Sequence, residues 1–168
     1  QVVTRQPEFD SAATGVRGEV MASANTAEEA RVLGGTIDAG NRSLATSFSA
    51  EYADVGDRRI GDGSTIRPTG YTARSARWLV IARPDDNTSY SIDLQHAEQP
   101  KTPRTDELVP GFGETEPASS EFFFRPNRRT FAHVDYQLLD GALGLDWQLL
   151  KDLQLGFRWL HTDLGRSV

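Results

Sequence analysis

Apolar and polar side chains alternate along this chain with a period of two, over stretches of about nine to thirteen residues. Residues two apart share one face of an extended strand, so these stretches predict strands with one apolar and one polar face. Leu44, Thr46, Phe48, Ala50 and Tyr52 face one way, and Ser47, Ser49 and Glu51 the other. Tyr90, Ile92 and Leu94 oppose Ser91, Asp93 and Gln95. Ala132, Val134, Tyr136 and Leu138 oppose His133, Asp135 and Gln137, while Leu153, Leu155, Phe157 and Trp159 oppose Gln154, Gly156 and Arg158. Two weaker strands are predicted over 16–24 and 31–39. Another spans 74–83, where Trp78 and Val80 oppose Arg77 although Leu79 and Ile81 blur the polar side. Helical spacing is confined to residues 27–30, one turn at most. The expectation is an all-β chain.

Strands of this length exceed the five or six residues usual in globular sheets and fit a tilted crossing of a bilayer. A transmembrane helix is excluded: the longest apolar run is Trp78-Leu79-Val80-Ile81-Ala82, and the mean hydropathy is −0.49. A membrane strand shows lipid only alternate side chains, so modest hydropathy is compatible with it.

The connections carry a second regularity. Gly40-Asn41-Arg42 and Pro84-Asp85-Asp86-Asn87 read as tight turns, whereas 57–73 is a long polar loop and 98–127 a longer one with five prolines. Short connections at one rim and long ones at the other are the habit of outer-membrane barrels, with short periplasmic turns and long extracellular loops. Residues 140–152 read two ways. Leu143, Leu145, Trp147 and Leu149 alternate like an eighth strand, but that strand would break the short–long alternation. Reading the stretch as a periplasmic connection leaves seven strands. Trp78, Tyr90, Tyr136 and Trp159 fall on apolar faces, mostly towards strand ends, as interfacial aromatics do.

Taken together, these residues resemble the early barrel strands of a TonB-dependent outer-membrane receptor. Arg5-Gln6-Pro7-Glu8-Phe9-Asp10, followed by Gly15-Val16-Arg17-Gly18-Glu19-Val20, resembles the junction between plug and barrel, here residues 1–15. Gly61-Asp62-Gly63 to Thr69-Gly70-Tyr71-Thr72 is similar to an extracellular loop entering a descending strand. Pro103-Arg104-Thr105-Asp106-Glu107-Leu108 and Pro110-Gly111-Phe112-Gly113 resemble the next loop, and Phe124-Arg125-Pro126-Asn127-Arg128-Arg129 its return. The resemblance covers residues 1–168 and implies a partial antiparallel transmembrane β-barrel in the outer membrane of a Gram-negative cell. It implies uptake of a scarce ligand such as a siderophore or other iron chelate, haem or cobalamin, energised by the TonB complex through a plug region absent from this chain. Outer-membrane lipid and lipopolysaccharide are the implied surroundings. Seven or eight strands fall short of the family's about twenty-two, and the chain starts at Gln1 with Met21 its only methionine, so an internal slice of a longer protein is expected.

Candidate chemistry is sparse. A net charge of −6 argues against nucleic acid as a partner, and the absence of cysteine excludes disulfides, thiolate zinc sites and a cysteine nucleophile. His96, His133 and His161 lie on three separate strands with no i, i+2 pair, so they read as rim or lumen residues and not as metal ligands. Asp54, Asp57 and Asp62 with Gly61 and Gly63 lack the spacing of an EF-hand loop. Asp106 with Glu107, and Glu114 with Glu116, lack any nucleophile partner, and no enzymatic activity, metal or cofactor is expected. The candidate ligand contacts are Arg58, Arg59 and Arg67 in the first long loop, with Phe112, Arg125 and Arg128 in the second. Such arginines attract an anionic siderophore or lipopolysaccharide phosphates. Two alternatives stand beside the receptor: a small closed outer-membrane barrel or porin-like channel, and a soluble β-sandwich binding module.

Overall fold

The computed structural model describes residues 6–9, 11–100, 102–103, 123–124, 126–138 and 153–164. Among them the chain is all-β. Seven long strands form one antiparallel sheet: β1 (Gly15–Asn25), β2 (Ala30–Gly40), β3 (Leu44–Val55), β6 (Tyr71–Ala82), β7 (Thr88–Gln99), β10 (Asn127–Leu138) and β11 (Leu153–Leu164). Their spatial order is their chain order, a pure meander. Two small hairpins sit in the connections, β4 (Arg58–Arg59) with β5 (Thr65–Ile66), and β8 (Thr102–Pro103) with β9 (Phe123–Phe124). The sheet is open: β1 and β11 each have one neighbour among the described residues.

All seven predicted strands are present, with ends that shift. β6 begins at Tyr71 because Tyr71 to Ala73 continue the ladder opposite Val55 to Ala53. β7 runs on to Gln99 and β10 starts at Asn127, because Gln99 pairs with Asn127 and Glu98 with Arg128. The long loops are therefore 56–70 and 100–126, narrower than the sequence suggested. The 140–152 stretch lies outside the described residues; β10 and β11 on either side of it pair directly.

Register fixes the faces, since directly opposed residues share one. One cross-strand row reads Gly18, Ile37, Phe48, Trp78, Leu94, Ala132, Trp159. The next reads Val16, Ala39, Thr46, Val80, Ile92, Val134, Phe157. Towards the short-turn rim the apolar face ends in Leu44, Ala82, Tyr90, Tyr136 and Leu155, where the two tyrosine rings lie 5.0 Å apart. The tyrosines thus sit near strand ends as expected. Trp78 and Trp159 do not: they stand level with one another in a middle row, because the strands run four to seven residues past them on either side.

Burial is inverted relative to a water-soluble sheet. Twenty large hydrophobic side chains are exposed among the described residues, and fifteen of them lie on the apolar face, Val20 at 80% and Phe157 at 66% among them. The other five are Met21, Tyr71 and Leu160 on the polar face and Ile60 and Ile66 in a loop. Of the buried strand residues, Asp38, Ala45, Leu79 and Ile81 lie on the polar face, and Glu98 and Leu138 on the apolar one. Leu79 and Ile81 are the two that had blurred the pattern of β6. Pro7 is fully buried, and Gln6 and Phe9 line a hollow together with Leu79 and Ile81. The Arg42 N–H donates to the Ser11 carbonyl at 2.9 Å, and Arg17 stands over the Phe9 ring. At the turn into β3, a Cβ on Gly40 would lie 2.3 Å from the Leu44 carbonyl oxygen, so only glycine fits.

Candidate functional site

At the long-loop rim, the Asp57 carboxylate organises the 56–70 loop. It accepts the backbone N–H groups of Thr69 at 2.8 Å and Gly70 at 2.9 Å. Those two bonds hold its carboxyl below the ordinary carboxylate value, against a small opposing effect of burial and with help from the Arg67 charge 3.4 Å away. The Thr69 hydroxyl accepts from the Arg58 N–H and donates to the Ile66 carbonyl. Asp62 is likewise lowered, by the Ser64 hydroxyl and then the Ser64 N–H, in a tight turn. These aspartates fold the loop.

The three loop arginines are brought together and each meets a carboxylate. Arg58 lies 3.5 Å from Glu28, Arg59 2.9 Å from Glu29, and Arg67 3.4 Å from Asp57. Glu28 and Glu29 belong to the β1–β2 turn, where Glu29 adopts a positive φ of 50°. The first two pairs strap the loop to that turn. All three arginines remain more than half exposed, so the pairs are weak and the cations reachable.

Arg128 is elsewhere. It lies within β10, not in the loop, on the apolar face in the row Tyr52, Arg74, Glu98, Arg128, Asp163. Glu98 is buried between Arg74 and Arg128 and accepts from both, from Arg128 Nε at 3.0 Å. Phe112 and Arg125 lie outside the described residues.

The polar face carries the denser network, and sequence reading had missed its pairings. Arg77 grips Asp93 through Nε at 2.9 Å and Nη2 at 2.8 Å, and Gln95 adds a third bond to Asp93. Arg17 donates to the buried Asp38 at 2.9 Å, and Arg158 Nε lies 3.4 Å from His133, which stands 3.5 Å from Asp135. Folding each hairpin at its turn would have placed Arg17 opposite Asp38 and Arg74 opposite Glu98. Hollows open on this face, among them one of about 440 Å³ and one of about 640 Å³. Among the described residues no three His, Asp or Glu side chains converge as a metal site, and no helix is long and apolar enough to cross a membrane.

His96 and His161 are on the apolar face, flanking Thr130 in one row. His96 Nδ1 and the Thr130 hydroxyl share a hydrogen bond at 2.9 Å, and the His161 ring stacks on Trp159 at 5.8 Å. Deeper in the apolar face, the Trp78 indole N–H donates to the Thr46 hydroxyl at 2.9 Å. That hydroxyl donates in turn to the Leu79 carbonyl.

No family model matches the chain, and neither the curated proteins nor the solved structures include a match.

Proposed function

We propose that this chain is part of the wall of an outer-membrane β-barrel, with its apolar face in lipid and its polar face towards the lumen. The observation that carries the reading is the inverted burial. Fully burying a large hydrophobic side chain is worth about 1.5–3 kcal/mol, so fifteen left roughly half exposed forgo on the order of 15 kcal/mol in water. That is the whole net stability of an ordinary domain, about 5–15 kcal/mol. Hydrocarbon removes the deficit. The dimensions agree: twelve residues at about 3.4 Å each, tilted by about 40°, cross roughly 30 Å.

Within outer-membrane barrels, the receptor reading is supported by the approach of the chain. Residues 6–9 come to β1 along the polar face, as a segment leaving a plug inside the barrel does. The two open edges, β1 and β11, favour a larger barrel over a small one closed by these strands alone, since each unpaired backbone group in hydrocarbon costs several kcal/mol. The function proposed is therefore TonB-dependent uptake of a scarce ligand, with Arg58, Arg59 and Arg67 exposed at the long-loop rim for an anionic chelate.

Depth-resolved quenching tests the membrane reading. In a Trp147→Phe background, Trp78 and Trp159 report on the middle row alone. Lipids brominated near the acyl-chain middle are expected to quench them more strongly than lipids labelled at the headgroup. Monomeric behaviour in detergent-free buffer, with indole emission unchanged by lipid, would overturn it.

A further inference from the structure

We infer that residues 6–11 form a hinged strap that closes the short-turn end of the 640 Å³ hollow, with Phe9 and Arg17 as its clasp. The pattern of burial on the polar face carries the inference. Asp38, Ala45, Leu79 and Ile81 fall in two adjacent cross-strand rows at the short-turn rim. Two rows further up the same face, Met21 and Ser75 are exposed. A bare sheet face has no reason to change from exposed to buried between neighbouring rows, so the rim is covered. Among the described residues, 6–9 and 11–14 come to this rim from outside the sheet: Gln6 and Phe9 line the hollow with Leu79 and Ile81, and Pro7 is itself fully buried. Strap and rim bury each other.

The attachments of the strap are few. Its Phe9 ring packs at Gly15, where an added Cβ would lie 3.3 Å away, and sits under the Arg17 guanidinium, 5.3 Å from the ring centroid. Arg17 is fixed in turn by the buried Asp38 at 2.9 Å, so it acts on the strap as a positioning residue. Among the described residues one backbone hydrogen bond joins strap to sheet, from the Arg42 N–H to the Ser11 carbonyl. The long strands are laddered along their whole length, so the strap lifts at lower cost than any strand leaves the sheet. The hinge is the bend at Ser11, Ala12 and Ala13, all exposed, where the Ala13 N–H donates to the Ser11 hydroxyl at 3.1 Å. Rotation there carries Gln6 and Phe9 away from the opposite wall, the turn from Arg83 to Thr88, and uncovers Leu79 and Ile81. The inference goes beyond the uptake reading and does not need lipid on the outer face.

Thiol labelling of the complete protein in fragmented cells tests it, because this chain has no cysteine of its own. Ile81→Cys puts a reporter beneath the strap, and Ser75→Cys gives an exposed reference on the same strand and face. Alkylation by N-ethylmaleimide is followed at each position by mass spectrometry of the labelled peptide. With the strap docked, position 81 should react at least about tenfold more slowly than position 75. Two clasp variants should raise the rate at 81 at least about tenfold and leave that at 75 unchanged: Phe9→Ala, and Arg17→Lys, which keeps a charge for Asp38 but loses the planar cation over the ring. Should Ile81→Cys fail to fold, Leu79→Cys, buried on the same face, is read in the same way. A buried-position rate that neither clasp variant moves, or one that rises in step with the rate at 75, overturns the inference. Lipid quenching of Trp78 and Trp159 reports on the opposite face, so this failure is distinct from failure of the membrane reading.

Discussion

A charge placed on the apolar face discriminates most sharply between lipid and water around this sheet. Leu94 lies in the middle row on an interior strand, between Trp78 and Ala132, and is 39% exposed. Leu44 starts β3 at the short-turn rim and is 52% exposed. In hydrocarbon, arginine costs about 2–4 kcal/mol at mid-depth and about 0–1 kcal/mol near the interface. Leu94→Arg should therefore lower the folding equilibrium constant about 30- to 1,000-fold, and Leu44→Arg no more than about fivefold. In water both positions are partly exposed surface, where substitutions usually stay within about 0.5 kcal/mol. Urea titration of chain reconstituted in phosphocholine bilayers, followed by tryptophan emission, measures both. A difference between the two variants below about 0.5 kcal/mol refutes the assignment of this face to lipid.

Three other outcomes follow from the geometry. Arg77→Ala strands the Asp93 carboxylate, 13% exposed, and should cost about 3 kcal/mol, the low end of the loss for a broken buried pair; replacing both partners by Met and Leu should cost less, a comparison for a double-mutant cycle. Gly40→Ala forces a Cβ against the Leu44 carbonyl oxygen and Ala45 Cα, with an expected loss of about 1–3 kcal/mol in urea stability. Asp57 has a lowered folded value, so its contribution to the 56–70 loop is complete above the ordinary carboxylate range and fades as pH falls through that lowered value, below about pH 4. Protection of the Thr69 and Gly70 amides from exchange, relative to their intrinsic rates at each pH, should fall there, and Asp57→Ala should give the same loss of protection at neutral pH.

Strand positions were legible because each face has its own chemistry, as between Phe48 and Ser49, and period two needs no knowledge of neighbours. Strand ends were not. Glu98 is charged yet shares a face with Leu94, and only its pairing with Arg74 and Arg128 makes a buried carboxylate tolerable there. Arg128 read as loop for the same reason: an arginine-rich run says nothing of the partner thirty residues upstream. Leu79 and Ile81 looked like noise because the segment that lines a hollow with them precedes them by some seventy residues. At the rim, Arg58, Arg59 and Arg67 were legible as neighbours in sequence, but Glu28 and Glu29 meet them only once the meander stacks turn beside loop.

The polar groups of the apolar face bear on the same question from the opposite side. Water would satisfy an exposed threonine or indole N–H at no structural cost, so an aqueous surface gives these groups no reason to turn inward. Hydrocarbon offers no partner, and each must find one within the protein. Thr46 spends its hydroxyl hydrogen on the Leu79 carbonyl and its oxygen on the Trp78 indole. Thr130 takes His96, and Glu98 takes two guanidinium groups. Neutral pairs occupy the deeper rows and the ionic cluster a row close to the long-loop rim, where the membrane reading would put lipid headgroups and water. A sheet facing water has no use for that ordering by depth, and a sheet facing acyl chains depends on it.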